Sequence, residues 1–240
     1  MIKGVDFDAD GLVLVSENIR RALGLDVSVL MGANVAEGVA KEEFCEATVG
    51  AASPAAGALW ARVFDRPYFR VSACRDVYAV ELCGALKNIV ALAAGFCDGL
   101  QLGSNTKAAL IRIGLAEMVA LIRLQRPDTQ LATFFESCGV GDLVTTCYAG
   151  RNRRCAEAFV RTGKPWAALE AELLGGQKLQ GTLAAVEVHK MLARAGRLAQ
   201  FPLFVLVHRI AAGEAKPQEL TLIQRAAEAP PNSLVSSPKL

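Results

Sequence analysis

The spacing of apolar positions changes once along this chain, near residue 75. Before that point, short apolar runs alternate with helical stretches. Ile2–Phe7 reads as a strand. Leu12, Leu14, Val15, Ile19, Leu23 and Leu25 recur at helical spacing and predict a helix from Gly11 to Leu25. Val27–Met31 reads as a buried strand, and Gly32-Ala33-Asn34 turns into a helix predicted from Val35 to about Phe44. Ala47–Val49 is a third short strand. Ser53-Pro54 is an N-cap followed by proline at the first helical position, opening a helix to Phe64. Phe69–Val71 is a fourth strand. Strands separated by helices predict a layered α/β unit with parallel pairing.

From Asp76 to about Arg225 the pattern predicts helices and no strand. Asp76 caps a long helix ending near Gly99, and Asn105-Thr106 caps a second that ends before Arg126-Pro127. Thr133–Cys138 is a short helix, Gly139-Val140-Gly141 breaks it, and Asp142 caps a turn from Leu143 to Tyr148 that Gly150 ends. Asn152–Arg161, Pro165–Leu174, Leu183–Ala195 and Phe204–Ala212 each carry one apolar face. Pro217–Arg225 is a weaker last helix. From Ala226 the chain is rich in proline and serine and reads as disordered. The predicted division is an α/β remnant over 1–75, a mainly α part over 76–225 and a tail over 226–240. No flexible linker marks the boundary at Arg75, so the first two parts are expected to pack together.

Composition narrows the classes. The 240 residues, 52% of them hydrophobic, suffice for one large domain or two small ones with an ample core. Charges interrupt the apolar runs, so no membrane span is expected, and Met1–Asp6 lacks the apolar core of a signal peptide. A net charge of +2 argues neither for a nucleic-acid partner nor for an acidic tail, and no nucleic-acid partner is expected. The seven cysteines are odd in number, form no Cys-x-x-Cys and sit partly in apolar runs. They read as reduced, packed thiols suited to the cytosol. The two histidines, His189 and His208, lie in apolar-periodic segments, which argues against a histidine metal site.

Candidate chemistry concentrates in three stretches. Lys87 and Asn88 interrupt the apolar run Val77–Ala94. On a helix the neighbours of Lys87 one turn away are Cys83, Gly84, Val90 and Ala91, none of which pairs with a charge. Such a lysine either snorkels to solvent or stays desolvated and suited to proton chemistry. The second stretch runs from Gly139 to Arg154. Gly139-Val140-Gly141 looks like half of a Gly-x-Gly-x-x-Gly loop, but Val144 stands at the third glycine and Phe134–Ser137 before it reads as helix, so a dinucleotide fingerprint is rejected. Arg151 and Asn152 open a helix after a glycine, and free N–H groups with a guanidinium suit a phosphate; the alternative is a solvated basic face. The third is the polar loop Gly175–Gly181, either a ligand cover or a plain connection. Lys3 ends a strand-like run, where α/β sheets place ligands, or is an exposed terminal lysine.

Several of these stretches together resemble one family. Gly84-Ala85-Leu86-Lys87-Asn88, Gly95-Phe96-Cys97-Asp98-Gly99, Glu136-Ser137-Cys138-Gly139, Asp142 to Asn152 and Gly176-Gln177-Lys178-Leu179-Gln180-Gly181 are similar to the NAD-dependent glycerol-3-phosphate dehydrogenases, in particular the eukaryotic cytosolic branch. The similarity runs from Ile2 to about Ala215. It implies a Rossmann domain followed by a helical substrate domain, usually in a homodimer. It also implies interconversion of dihydroxyacetone phosphate and sn-glycerol 3-phosphate with NAD(H). By resemblance Lys87 is the acid/base that protonates the C2 oxygen as hydride reaches C2. Lys3, Asn88, Asp142 and Thr146 match positions around the substrate, and Arg151 and Asn152 match phosphate binders. Ala36, Lys178 and Gln180, with Arg151, match cofactor contacts.

Two departures stand against the pattern. The family's first strand, its glycine-rich turn and most of its parallel sheet precede the position matching Lys3, and here they are missing. This implies an incomplete chain, begun at an internal methionine or a fragment, with bare sheet edge and apolar surface. The alternative is a non-catalytic binding or dimerisation module derived from the enzyme. In addition, Gly181-Thr182-Leu183 replaces the branch's usual Pro-Glu. The terminal Pro238-Lys239-Leu240 differs by one residue from a Ser-Lys-Leu peroxisomal address, leaving organellar import as a lesser expectation beside the cytoplasm.

Overall fold

The computed structural model describes residues 6–8 and 11–223. The expected strand residues before Asp6, Lys3 and the tail from Ala226 lie outside these residues. The chain opens with a hairpin in which β1 (Asp6–Asp8) pairs antiparallel with β2 (Gly11–Val13). The helix expected from Gly11 therefore begins later, as α1 (Val15–Leu23). Leu12 to Val15 is a continuous apolar run, which periodicity alone assigns to neither strand nor helix, and pairing with β1 settles it.

A three-stranded sheet follows, built from β3 (Val29–Met31), β4 (Cys45–Gly50) and β5 (Phe69–Cys74) in the order β3-β4-β5. β4 and β5 run parallel, with Thr48 opposite Ser72. β3 runs antiparallel to β4, with Leu30 opposite Val49, so the expected parallel pairing holds for one pair only. The connections explain the difference. Between β4 and β5 lies α3 (Pro54–Phe64), eleven residues long and capped by Ser53, whose Oγ accepts from Ala56 N at 3.2 Å. Such a helix recrosses the sheet. Between β3 and β4 lies only α2 (Ala36–Ala40), five residues, too short to do so. The helix expected to reach Phe44 stops there, and Glu42 turns the chain at φ 57°. Leu23, Leu25, Phe44, Trp60, Val63 and Phe64 of this part are exposed.

The helical part is wound around α4 (Val77–Gly99). Asp76 caps it as expected, its Oδ1 accepting from Ala79 N at 3.1 Å. Every residue from Ala79 to Cys97 is buried. A helix apolar all round belongs in a core. α4 is in fact long and apolar enough to cross a bilayer, contrary to the expectation from its charges, but it is covered on every side by protein. Its cover comes from α5 (Ser104–Gln125), α6 (Asp142–Ala149), α7 (Arg151–Thr162), α9 (Gln180–Arg194) and α10 (Pro202–Ala211), and from β3 and β4 of the sheet, with α8 (Trp166–Leu174) outside α7. α5 starts at Ser104 behind Gly103, without the expected Asn105-Thr106 cap. Pro217–Leu222 is a short 3₁₀ helix.

Gly139–Gly141 does not break the chain. A 3₁₀ turn at Leu131–Phe135 is followed by a wide π-helical turn, Ser137–Gly141, which runs straight into α6. Ser137 Oγ accepts from Ala33 N at 3.1 Å and donates to Glu46 O at 2.9 Å, and Cys138 N donates to Thr48 Oγ1 at 3.3 Å. These bonds fasten the π turn to the ends of β3 and β4, so the two parts pack together.

One buried carboxylate sets a pH dependence. Both oxygens of Glu117 accept from the start of α10, from Leu203 N at 2.8 Å and Phe204 N at 2.9 Å. Desolvation dominates these two bonds and pushes its carboxyl up to about 7. The folded chain therefore holds this proton where the unfolded chain has released it. The contribution is complete below about pH 4.5 and is lost as pH rises towards 7, about 3 kcal/mol in all. The melting temperature of the chain is expected to fall over that window relative to Glu117→Gln, in which the slope is absent. Parallel melting curves of the two proteins would refute this.

Candidate substrate site

α4 presents Lys87 and Asn88 in succession, about 100° apart around the helix. The Lys87 side chain is 5% exposed, so it does not snorkel. The expectation that it lacks a charged neighbour holds within α4 only. The facing helix α6 brings Asp142 and Thr146, one turn apart on one face. Lys87 Nζ is ion-paired with Asp142 Oδ1 and donates to Thr146 Oγ1 at 2.8 Å, and Thr146 Oγ1 donates to Asp142 Oδ1 at 3.4 Å. Asp142 thus does not cap α6 with its side chain, as the sequence suggested. A carboxylate and a hydroxyl offset much of the cost of burying an ammonium.

Asn88 lies on the next face. Its Nδ2 donates to Gly84 O at 3.2 Å and Ala85 O at 3.3 Å, which fixes the amide. Its Oδ1 accepts from Asn152 Nδ2 at 2.9 Å, and Asn152 Oδ1 accepts from Gly181 N at 2.9 Å. A Cβ on Gly181 would lie 2.7 Å from Asn152 Oδ1 and from Asn88 O, so the start of α9 comes this close only with glycine there. Asn152 is therefore a bridge between α4 and α9. α7 has no side-chain cap, and its first N–H groups lie beside this bridge. Arg151 is exposed at the same helix start, and its Nη1 donates to Gln177 Oε1 in the Gly175–Gly181 loop.

The remaining expected residues are more scattered. Lys178 is largely exposed and pairs with Glu170 Oε2 at 2.8 Å, while Glu170 Oε1 accepts from Leu179 N at 3.0 Å. Gln180 is exposed at the first position of α9. Ala36 is exposed at the first position of α2, three residues after Ala33, which the π turn holds. Lys3 lies outside the described residues. The structure also points to residues that sequence reasoning passed over. Glu170 anchors the loop, but nothing in its spacing from Lys178 signals this. Gln177 and Asp98 stood inside quoted motifs without a role. Asn34 Oδ1 is buried with no hydrogen-bond partner, a signal only coordinates give.

The thiols around the site are inert. All seven cysteines are free; burial pushes Cys147 up to about 12, and a hydrogen bond with Cys138, together with burial, raises Cys83, one turn before Lys87, above its ordinary value.

Known proteins resemble this chain over most of its length. The profile of the NAD-dependent glycerol-3-phosphate dehydrogenase C-terminus matches residues 76–222, and that of the N-terminus matches residues 1–57. The chain belongs to the NAD-dependent glycerol-3-phosphate dehydrogenase family. The mouse glycerol-3-phosphate dehydrogenase 1-like protein is 53% identical over 226 residues, which cover 93% of this chain and 64% of that protein. The cytoplasmic NAD(+) glycerol-3-phosphate dehydrogenase of mouse is 55% identical over 211 residues, covering 88% of this chain and 60% of that one. Among solved structures, Plasmodium falciparum glycerol-3-phosphate dehydrogenase superposes with a TM-score of 0.89 at 38% identity, over 95% of this chain and 65% of that one. Saccharomyces cerevisiae glycerol-3-phosphate dehydrogenase gives 0.87 at 38% identity, over 92% and 66%. The chain thus spans about 60–64% of the curated relatives it matches.

Proposed function

We propose that this chain supplies the substrate half of a glycerol-3-phosphate dehydrogenase acting on dihydroxyacetone phosphate and sn-glycerol 3-phosphate. The observation that carries the reading is Lys87, a buried ammonium held by Asp142 and Thr146 beside the uncapped start of α7. An ammonium so held donates a proton to the C2 oxygen of the ketone, where an alkoxide would otherwise develop. Asp142 and Thr146 keep Nζ in place and accept its remaining hydrogens. Asn88 and Asn152 hold α4, α7 and α9 in register. Arg151 and the first N–H groups of α7 take the phosphate.

NAD(H), when bound, supplies the hydride. The described residues fit one end of it. Asn34 Oδ1, buried and without a hydrogen-bond partner two residues before Ala36, suits an amide N–H, and Arg151 and Gln180 are exposed at the first positions of α7 and α9, with Lys178 exposed just before α9. The division into a dinucleotide-binding remnant over 1–75 and a catalytic part over 76–225, a homodimeric assembly and a cytoplasmic location belong to the same proposal. The location is supported by the word cytoplasmic in the relatives' names.

NADH oxidation with dihydroxyacetone phosphate tests the reading. It is measured on this chain alone and on the chain joined to a dinucleotide-binding half from a family member. Turnover in the joined protein is expected, and turnover in neither would defeat the proposal. In the active form, Arg151→Ala is expected to raise KM for the phosphorylated substrate by about a hundredfold, since a charge-assisted contact worth about 2–3 kcal/mol is lost. An unchanged KM would remove Arg151 from the site.

A further inference from the structure

Asp98, in the last turn of α4, joins three helices through one oxygen. Its Oδ2 accepts from Lys107 Nζ at 2.8 Å, in the first turn of α5, and from Arg153 Nε at 2.5 Å, in the first turn of α7. Arg153 also pairs with Glu157 at 2.7 Å, and Lys107 Nζ lies 4.3 Å from the centre of the Tyr148 ring at the end of α6. Lys107 is buried, and Asp98 and Arg153 are about one-fifth exposed. Arg153 follows Asn152 directly and lies two residues from Arg151.

The start of α7 has no cap from its own neighbouring side chains, so it is held from outside. Beside the close packing of Gly95 on the Arg153 carbonyl, two polar connections to α4 do this. One is the neutral bond between Asn152 and Asn88, and the other is the ion pair between Arg153 and Asp98. Charge-assisted bonds in partly buried surroundings are the stronger kind. We propose that Asp98 is a positioning residue for the anion grip. It sets the register of the first turn of α7, and with it Arg151 and Asn152, against Lys87 on α4. The inference rests on the reading of this helix start as the phosphate site. The effect of Asp98 passes through Arg153.

The test is a titration of inorganic phosphate, and separately of sn-glycerol 3-phosphate, into the chain. Binding is read from the backbone amide resonances of Arg151, Asn152 and Arg153, with melting curves recorded in parallel. The wild-type chain is expected to respond to both anions. Asp98→Asn is expected to weaken binding about tenfold, because a small misplacement of contact groups is costly. Asp98→Glu is expected to restore most of it. Arg153→Lys, which keeps the charge and loses the fork, is expected to weaken binding several-fold and decides the matter if Asp98→Asn does not fold. A lower melting temperature with unchanged affinity in these variants would make Asp98 merely structural and overturn the proposal. No response in the wild-type chain would defeat the phosphate site itself, and this inference with it.

Discussion

Lys87→Ala is expected to abolish turnover and also to loosen the fold. In the chain joined to a dinucleotide-binding half, kcat should fall about ten-thousandfold, the upper range for removal of a general acid. No charge lies within helical reach of Lys87 on α4, and its partner comes from α6 instead. Removing Nζ takes the paired ammonium away from the Asp142 carboxylate, which is 4% exposed. Breaking a buried pair from one side costs about 3–5 kcal/mol. The two losses are separable. Lys87→Met combined with Asp142→Leu removes both charges, and such replacements are often neutral or stabilising. The double variant should therefore melt near the wild type and remain inactive. Near-normal rates in Lys87→Ala would refute the acid role, and an unshifted urea midpoint would refute the energetic weight of the pair.

Gly95→Ala is expected to be the most damaging single-methyl change in the core. Its Cβ would lie 2.2 Å from the carbonyl oxygen of Arg153 and 2.6 Å from the Ala156 Cβ. The first obstacle is backbone, so no side-chain rotation relieves it. Helix propensity works the other way, since alanine is better than glycine inside a helix by about 1 kcal/mol. Overpacking against fixed backbone costs about 3 kcal/mol or more, so the clash wins. For a chain of this size a net loss of about 2 kcal/mol lowers the melting temperature by roughly 4–8 °C. The start of α7 must also shift away from α4, so phosphate affinity should fall with it. A melting temperature at or above the wild-type value would show that α7 yields without cost.

The neighbouring helix α5 was legible for simpler reasons. Its apolar and polar positions repeat over many turns, and only its start was misplaced, because Gly103 turns the chain where a polar cap was expected. The same holds for α3, where Ser53 and Pro54 carry the signal within four residues. The misreadings fall where the pattern is short or where a distant segment intervenes. Gly11–Val13 became a strand because β1 pairs with it. The π turn at Ser137–Gly141 survived two glycines because Ala33, Glu46 and Thr48 bond to it from the sheet.

The candidate site divides in the same way. The sequence by itself determined that Lys87 lies in an apolar helix, that Arg151 and Asn152 start another, and that a polar glycine-flanked loop follows. Each of these is a local property, readable over a turn or two. Only the tertiary structure decided that Asp142 neutralises Lys87, that Asn152 bridges Asn88 to Gly181 rather than standing free, and that Asp98 ties Lys107 to Arg153. Those partners lie between 9 and 64 positions apart in the chain. Burial makes each pairing obligatory, because an unpaired charge or amide inside the protein is costly. Burial belongs to the packed fold and is not written at any one position.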